Sequence, residues 1–314
     1  LEDVPLVAVI TGPTGTGKTE LGVVLARELG GEIVSADSMQ IYRGLDIGTA
    51  KPTPGEQGGI PHHMLDFVDP REQYSVARYV EDAAEAIRSI LARGALPIIV
   101  GGTGLYIDSL VSGRTFSGVD GELRRRAELG AEYDAQGGDE MLRRLRLIDP
   151  ERAAILSPAD RRRIVRALEI FELTGKTITQ HDAETRALPP RFRARTIALD
   201  FKNRADLYSR LDSRVDTMLE RGLVDEVRSL MADGPGRDST AMQAIGYKEI
   251  ALSLDGEISL EEAVRRIKQG TRNYAKRQLT WLRRRSDIHW IRWDTVPDFD
   301  FARRNSTEYI TLPI

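Results

Sequence analysis

Gly12-Pro13-Thr14-Gly15-Thr16-Gly17-Lys18-Thr19 fits the spacing G-x-x-x-x-G-K-[ST], and few other eight-residue strings constrain a fold as tightly. The string follows an apolar, β-branched run, Leu6–Thr11, and precedes Glu20–Leu29, which reads as a helix ending at Gly30-Gly31. Glycines there let backbone N–H groups converge on phosphate oxygens, and the helix N-terminus adds partial positive charge. Lys18 supplies a full charge, and the Thr19 hydroxyl is a candidate Mg²⁺ ligand. In that context a polyphosphate is the expected ligand, rather than a glycine turn that binds nothing.

Further strand and helix signals alternate after the loop. Glu32–Ala36 reads as a strand closed by Asp37-Ser38, Tyr79–Arg93 as a helix, and Leu96–Val100 as a third strand. Gly101-Gly102-Thr103-Gly104 and a helix over Leu105–Val111 follow. The pattern predicts a P-loop NTPase-like α/β fold, its ligands lying at the C-terminal ends of parallel strands. From about Val119 to Lys176 the strand signals vanish. Leu123–Ala135, Met141–Leu147, Pro150–Leu156 and Pro158–Thr174 look helical, Arg186–Arg195 looks like a connector, and Thr196–Leu199 resembles a late strand. The expected organisation is a discontinuous core, 1–115 and 196–314, interrupted by an all-helical insertion at 116–195. The remainder reads as helical until His289–Trp293.

The chain has 314 residues, no cysteine, 41% hydrophobic and 30% charged residues. The balance is that of a soluble globular protein, and disulfides and thiolate chemistry are excluded. The longest apolar runs are too short to span a membrane, and no secretory signal is visible. The chain opens on Leu1 rather than Met, so a few residues are expected to be missing or replaced there. The net charge of −3 conceals an asymmetry. Between Glu261 and Trp290 stand nine Lys or Arg (Arg265, Arg266, Lys268, Arg272, Lys276, Arg277, Arg283, Arg284, Arg285) against three acids. A second basic concentration is Arg161, Arg162, Arg163 and Arg166. Solvated charged faces are the ordinary fate of such runs, but one-signed patches on a near-neutral chain favour contact with a phosphate backbone.

P-loop ATPases carry an Asp at the end of another core strand to help hold Mg²⁺. Leu96–Val100 ends instead in Gly-Gly-Thr, which counts against nucleotide hydrolysis and leaves the Thr103 hydroxyl near the phosphates. The strand-end carboxylate is Asp37, placed either to take a proton from a nucleophile or simply to cap a turn.

DSMQIYRGLDIGTAKP (Asp37–Pro52), with GPTGTGKT, PHHMLD (Pro61–Asp66), VGGTGLY (Val100–Tyr106) and RRIVRALE (Arg162–Glu169), resembles the bacterial tRNA dimethylallyltransferase family. RVDTMLERGLVDEVRSL (Arg214–Leu230), AIGYKE (Ala244–Glu249) and TRNYAKRQLTWLRR (Thr271–Arg284) continue the likeness in order along nearly the whole chain. The resemblance implies a cytoplasmic, monomeric enzyme that transfers a dimethylallyl group from dimethylallyl diphosphate to N6 of the adenosine at position 37 of tRNA. It implies Asp37 as general base, with the phosphate loop, Thr103 and Arg214 holding the diphosphate and Mg²⁺ assisting its departure. Contacts to the tRNA anticodon stem-loop would fall on Asp37, Ser38, Met39, Gln40, Thr103, Arg124, Arg162, Arg163, Ile164, Val165, Arg166, and Ala244, Ile245, Gly246, Tyr247, Lys248 and Glu249. The helical insertion would clamp the anticodon stem.

Chemistry agrees with that implication. Pyrophosphate leaves as positive charge develops on the allyl carbon, so the departing anion needs stabilising. A loop base must be unstacked before its N6 is reached. Of the four histidines, His62 and His63 lack further ligands at metal spacing, and His181 and His289 are isolated, so no zinc site is expected. Trp290 and Trp293 read as packing, and Trp281 and Leu282 as the core side of the basic helix. Competing readings are an adenylate isopentenyltransferase acting on free AMP, ADP or ATP, a small-molecule P-loop kinase, and a nucleotide-gated RNA-binding protein without chemistry. The insertion and the basic helix speak against the first, and the missing strand-end acid against the second.

Overall fold

The structure, a computed structural model, describes residues 4–113, 123–232 and 234–313. Two compact units emerge: Leu1–Val111 with Phe192–Ile314, and Ser112–Arg191. The expected junction at 115–116 lies outside the described residues. No helix among the described residues is long and apolar enough to cross a membrane.

In the first unit β1 (Leu6–Thr11), β2 (Gly31–Ser35), β3 (His62–His63), β4 (Leu96–Val100), β5 (Arg193–Phe201) and β6 (Ile288–Trp293) form one parallel sheet, ordered β3-β2-β4-β1-β5-β6. This is a P-loop NTPase-like α/β fold. The central strands read as apolar runs because both faces are covered: Val7, Ala8, Val9 and Ile10 of β1 and Ile98 and Ile99 of β4 are fully buried. Helices α1 (Lys18–Leu29), α2 (Pro54–Gln57), α3 (Val76–Ala92) and α4 (Gly104–Val111) belong to its first half. In the second unit lie α5 (Leu123–Gln136), α6 (Gly138–Ile148), α7 (Pro150–Ala154), α8 (Arg161–Thr174) and α9 (Ile178–Arg186). The first unit resumes with β5 and continues through α10 (Arg204–Glu220), α11 (Leu223–Ala232), α12 (Tyr247–Leu254), α13 (Leu260–Leu282) and α14 (Phe299–Thr311).

Departures from the sequence expectation have local causes. Helix α1 begins at Lys18 rather than Glu20, because Gly17, at φ 86°, turns the chain straight from the loop into the helix. Ser75 caps α3 by accepting the Arg78 N–H, so that helix starts three residues before Tyr79. Strand β2 sits one residue earlier than Glu32–Ala36. Strand β3 was not expected, since two residues carry no alternation, and Leu96–Val100 is therefore fourth in chain order. The connector expected over Arg186–Arg195 is shorter. Helix α9 runs to Arg186, and Arg193–Arg195 already pair with Leu6–Ala8 of β1. Helix α14, capped by Asp298, was also unexpected.

The second unit packs Leu129, Met141, Leu145, Ile164 and Leu168 into its own small core. Glu169 is fully buried there, yet accepts from Arg126 at 3.0 Å and from Arg166 at 2.9 Å, which compensates its desolvation.

The segment 37–52 is long and irregular, and two charged residues hold it. Buried Lys51 reaches the Tyr42 carbonyl (2.7 Å), Asp46 (2.7 Å) and Asp66 (2.5 Å). From α11, Glu226 accepts the N–H groups of Asp46 (3.1 Å), Ile47 (2.7 Å) and Gly48 (3.0 Å), and the Tyr247 hydroxyl at 2.5 Å. Glu226→Ala leaves these donors without an acceptor and should cost about 2–4 kcal/mol of stability by denaturant unfolding. An unchanged midpoint would show that the segment is held otherwise.

Candidate active site

Parallel strands bring their C-terminal ends to one edge, and a cavity of about 930 Å³ opens there. Thr14, Gly15, Gly17, Lys18 and Thr19 of the loop line it, together with Asp37 and Gln40 after β2, Gly101 and Gly102 after β4, and Arg210 and Arg214 of α10. Tyr274 and Gln278 of α13 complete the wall. Gly12, Pro13, Thr16, Ser38, Met39 and Thr103 are not among the lining residues.

The phosphate loop is tied down through its carbonyls. Pro13 O accepts from the Thr16 hydroxyl (2.9 Å) and Lys18 Nζ (2.8 Å). Gly15 O accepts from Arg210 Nε at 2.8 Å, and Thr16 O from the Trp293 indole N–H at 2.9 Å. The Phe299 ring packs on Gly17 so closely that a Cβ there would stand 2.6 Å from it. Burial pushes the Lys18 ammonium down to about 7, the Arg214 guanidinium adding to this and Asp37 opposing it. Arg214 is itself held below its ordinary value by burial, with Asp37 raising it and Arg210 lowering it. Lys18 and Arg214 therefore bring two desolvated cations to one cavity, partly offset by Asp37, an arrangement that suits an anion.

Asp37 serves the turn and the cavity together. Its Oδ1 accepts the N–H groups of Met39 (2.9 Å) and Gln40 (3.3 Å), the capping arrangement weighed from the sequence. Among the described residues its Oδ2 has no hydrogen-bond partner. Gln40 is fixed in turn by donating to the carbonyls of Thr49 and Ala50. Thr103 stands behind the wall: its N–H donates to Ala36 O (3.0 Å), and its hydroxyl accepts the Ser38 N–H (3.1 Å) and meets Tyr274. Burial, then Asp37, raises the Tyr274 hydroxyl to about 12.

The remaining candidates are scattered. Ala244, Gly246 and Tyr247 are buried, Ile245 and Glu249 half-buried and Lys248 exposed. Tyr247 and Glu249 are occupied, on Glu226 and on the Gly246 N–H respectively. In the second unit Ile164 and Val165 face the helical core, whereas Arg162 and Arg163 are exposed. Arg124 pairs with Glu128, Arg161 with Asp134 and Arg166 with Glu169.

The basic surplus on α13 and the residues just past its end is smaller in three dimensions than along the chain. Arg265 and Arg266 share Glu262, Lys268 meets Asp216, Arg272 meets Asp212, Arg283 lies 3.8 Å from Asp200, and Arg285 binds Asp108 and Asp287. Lys276, Arg277 and Arg284 have no ion pair among the described residues.

Several features escaped the sequence reading. Tyr274, Gln278 and Arg210 sit on helices whose periodicity marks only core and surface. Asp200 is a second carboxylate near a strand end, raised by burial, but Arg283 is its cationic neighbour and only the adjacent Phe201 lines the cavity. His62 and His63 form an edge strand, His63 bonding Glu32 at 2.7 Å. No group of three His, Asp or Glu able to hold a metal exists among the described residues.

The chain is similar to known proteins along nearly its whole length. The family model described as IPP transferase matches residues 40–285, and that described as Isopentenyl transferase matches 5–71. The chain is 45% identical over 305 residues to the tRNA dimethylallyltransferase of Thermoanaerobacter sp. (strain X514), and 47% over 305 residues to that of Caldanaerobacter subterraneus subsp. tengcongensis. Each alignment covers 97% of both chains. Among solved structures, it is similar to the tRNA isopentenylpyrophosphate transferase from Bacillus halodurans (TM-score 0.73, 40% identity, 98% of this chain and 97% of that one). It is also similar to a eukaryotic dimethylallyltransferase acting on tRNA (TM-score 0.83, 32% identity, 98% and 80%). On the family match and these near-full-length relatives, the chain belongs to the IPP transferase family.

Proposed function

We propose that this protein transfers a dimethylallyl group from dimethylallyl diphosphate to N6 of the adenosine at position 37 of tRNA, in the cytoplasm and as a monomer. The observation that carries the reading is one cavity in which a phosphate loop, the cationic pair Lys18 and Arg214, and the Asp37 carboxylate face one another. The diphosphate lies on the loop N–H groups, neutralising Lys18 and Arg214. N6 attacks C1 of the allyl group as the C1–O bond breaks; pyrophosphate leaves with the bonding electrons, and Asp37 Oδ2 takes the N6 proton. Hard oxygen donors at this site, the Thr19 hydroxyl and the diphosphate itself, suit Mg²⁺, which when bound would stabilise the leaving anion. Thr103, through its Ser38 bond, steadies the turn carrying Asp37. Arg124, Arg162, Arg163 and Arg166 on the helical insertion, with Lys276, Arg277 and Arg284, are the cations assigned to the anticodon stem-loop.

The direct test supplies labelled dimethylallyl diphosphate and Mg²⁺ with either an unmodified tRNA bearing consecutive adenines after the anticodon or free AMP. Label should appear on the tRNA; label on AMP alone, or on neither, refutes the reading.

Asp37→Asn keeps the turn acceptor at Oδ1 but removes the base. It should leave tRNA affinity within about threefold while lowering kcat about 10²-fold or more. Turnover near the normal rate would reduce Asp37 to a cap.

Lys18 supplies a pH signature. Its free-site value of about 7 lies below the ordinary lysine value, and a bound diphosphate favours the cation, so binding above pH 7 takes up a proton. By calorimetry with pyrophosphate, the affinity advantage of wild type over Lys18→Met should be largest below pH 7. Above pH 7 it should shrink by up to about tenfold per unit. A constant advantage between pH 6 and 9 would contradict the assignment.

A further inference from the structure

One side-chain amide, bonded through both its oxygen and its nitrogen, spans the two halves of the cavity. Gln278, 7% exposed on α13, accepts the Thr14 N–H on Oε1 at 2.9 Å and donates from Nε2 to the Gly102 carbonyl at 2.9 Å. The donor and acceptor that it meets are backbone groups of fixed polarity, so the amide has only one satisfactory orientation. Thr14 opens the phosphate loop, and Gly102 immediately precedes Thr103. Gly102 leaves room for the contact that no larger residue would. A Cβ on Gly102 would stand 2.2 Å from Gln278 Nε2. One helical turn earlier on the same helix, Tyr274 lines the cavity beside Gln278.

We propose that Gln278 is a positioning residue that locks the opening of the phosphate loop to the Gly102–Thr103 turn, holding the diphosphate half and the nucleophile half of the site at one spacing. The Thr14 N–H is satisfied by Gln278 rather than by the ligand, which fixes the loop's first turn and leaves the later N–H groups to the anion. Gly102 is held at its carbonyl, and through Thr103 and the Ser38 N–H the same tie reaches the Asp37 turn. Neither end of Gln278 transfers a proton or touches the reacting carbon. Its effect on turnover rests on the transferase reading above; its effect on anion binding does not.

Two variants separate the tie from plain packing. Gln278→Met keeps the volume and loses both bonds. It should weaken pyrophosphate binding about tenfold and lower kcat about tenfold, with KM for tRNA unchanged within about twofold. Gln278→Glu loses the Gly102 bond when ionised, but its protonated carboxyl can accept from Thr14 and donate to Gly102 as the amide does. Pyrophosphate affinity of Gln278→Glu relative to wild type should therefore recover as pH falls from 8 to 5, while the Gln278→Met ratio stays flat. Tyr274, one turn earlier on the same helix, and Lys18, Asp37 and Arg214, which line the cavity with this amide, are common to all three proteins and largely cancel in the ratio. The proposal is overturned if Gln278→Met binds and turns over like wild type, or if the Gln278→Glu deficit is independent of pH. Should Gln278→Met fail to fold, Gln278→Asn takes its place: an uncharged amide one methylene too short to reach both backbone groups should show the same losses, and binding and turnover like wild type overturn the proposal. If wild type binds pyrophosphate with these signatures but modifies no tRNA, the transferase reading falls and the tie stands.

Discussion

A phosphate loop works only if its carbonyl groups are held away from the ligand while its N–H groups stay directed at it. In this protein that constraint is met by the C-terminal half of the chain. Arg210 of α10 holds Gly15 O, Trp293 of β6 holds Thr16 O, Gln278 of α13 takes the Thr14 N–H, and Phe299 of α14 packs on Gly17. A loop formed by residues 12–19 is thus shaped by residues about 200 to 290 positions later. The site cannot be complete until the sheet has closed on β5 and β6, whatever happens at the N-terminus.

The electrostatics follow from the same enclosure. Desolvation lowers Lys18 to about 7 and depresses Arg214, so two cations are held next to one another at a cost that an anion offsets. Asp37 opposes both shifts without cancelling them. A polyanionic ligand is therefore stabilised more by this cavity than by the same residues on an open surface. The carboxylate stays available because its second oxygen is left over from the turn that the first one makes.

The surfaces away from the cavity were harder to read along the chain. A charge run counts neighbours in sequence, whereas ion pairs form between neighbours in space. On α13 and just past its end, the acids that answer Lys268, Arg272 and Arg285 come from positions 216, 212 and 108. Within the AIGYKE string, Tyr247 is buried and donates to Glu226, the side chain that holds the 46–48 turn. Edge strand β3 left no trace, because two residues are too few for a period of two to register.

What the sequence by itself determined was local chemistry: the phosphate loop at Gly12–Thr19, the apolar strands β1 and β4, the carboxylate after β2, and the family to which these motifs point. Those features are legible because glycine spacing, β-branched runs and strand-end residues act over a few positions. Tertiary structure alone decided that Tyr274, Gln278 and Arg210 reach the cavity, where they join Arg214. It also neutralised most of the basic run and pinned the 37–52 segment through Lys51 and Glu226. Helical periodicity shows which face is apolar but not what that face meets, and long-range partners leave no pattern within a sequence window.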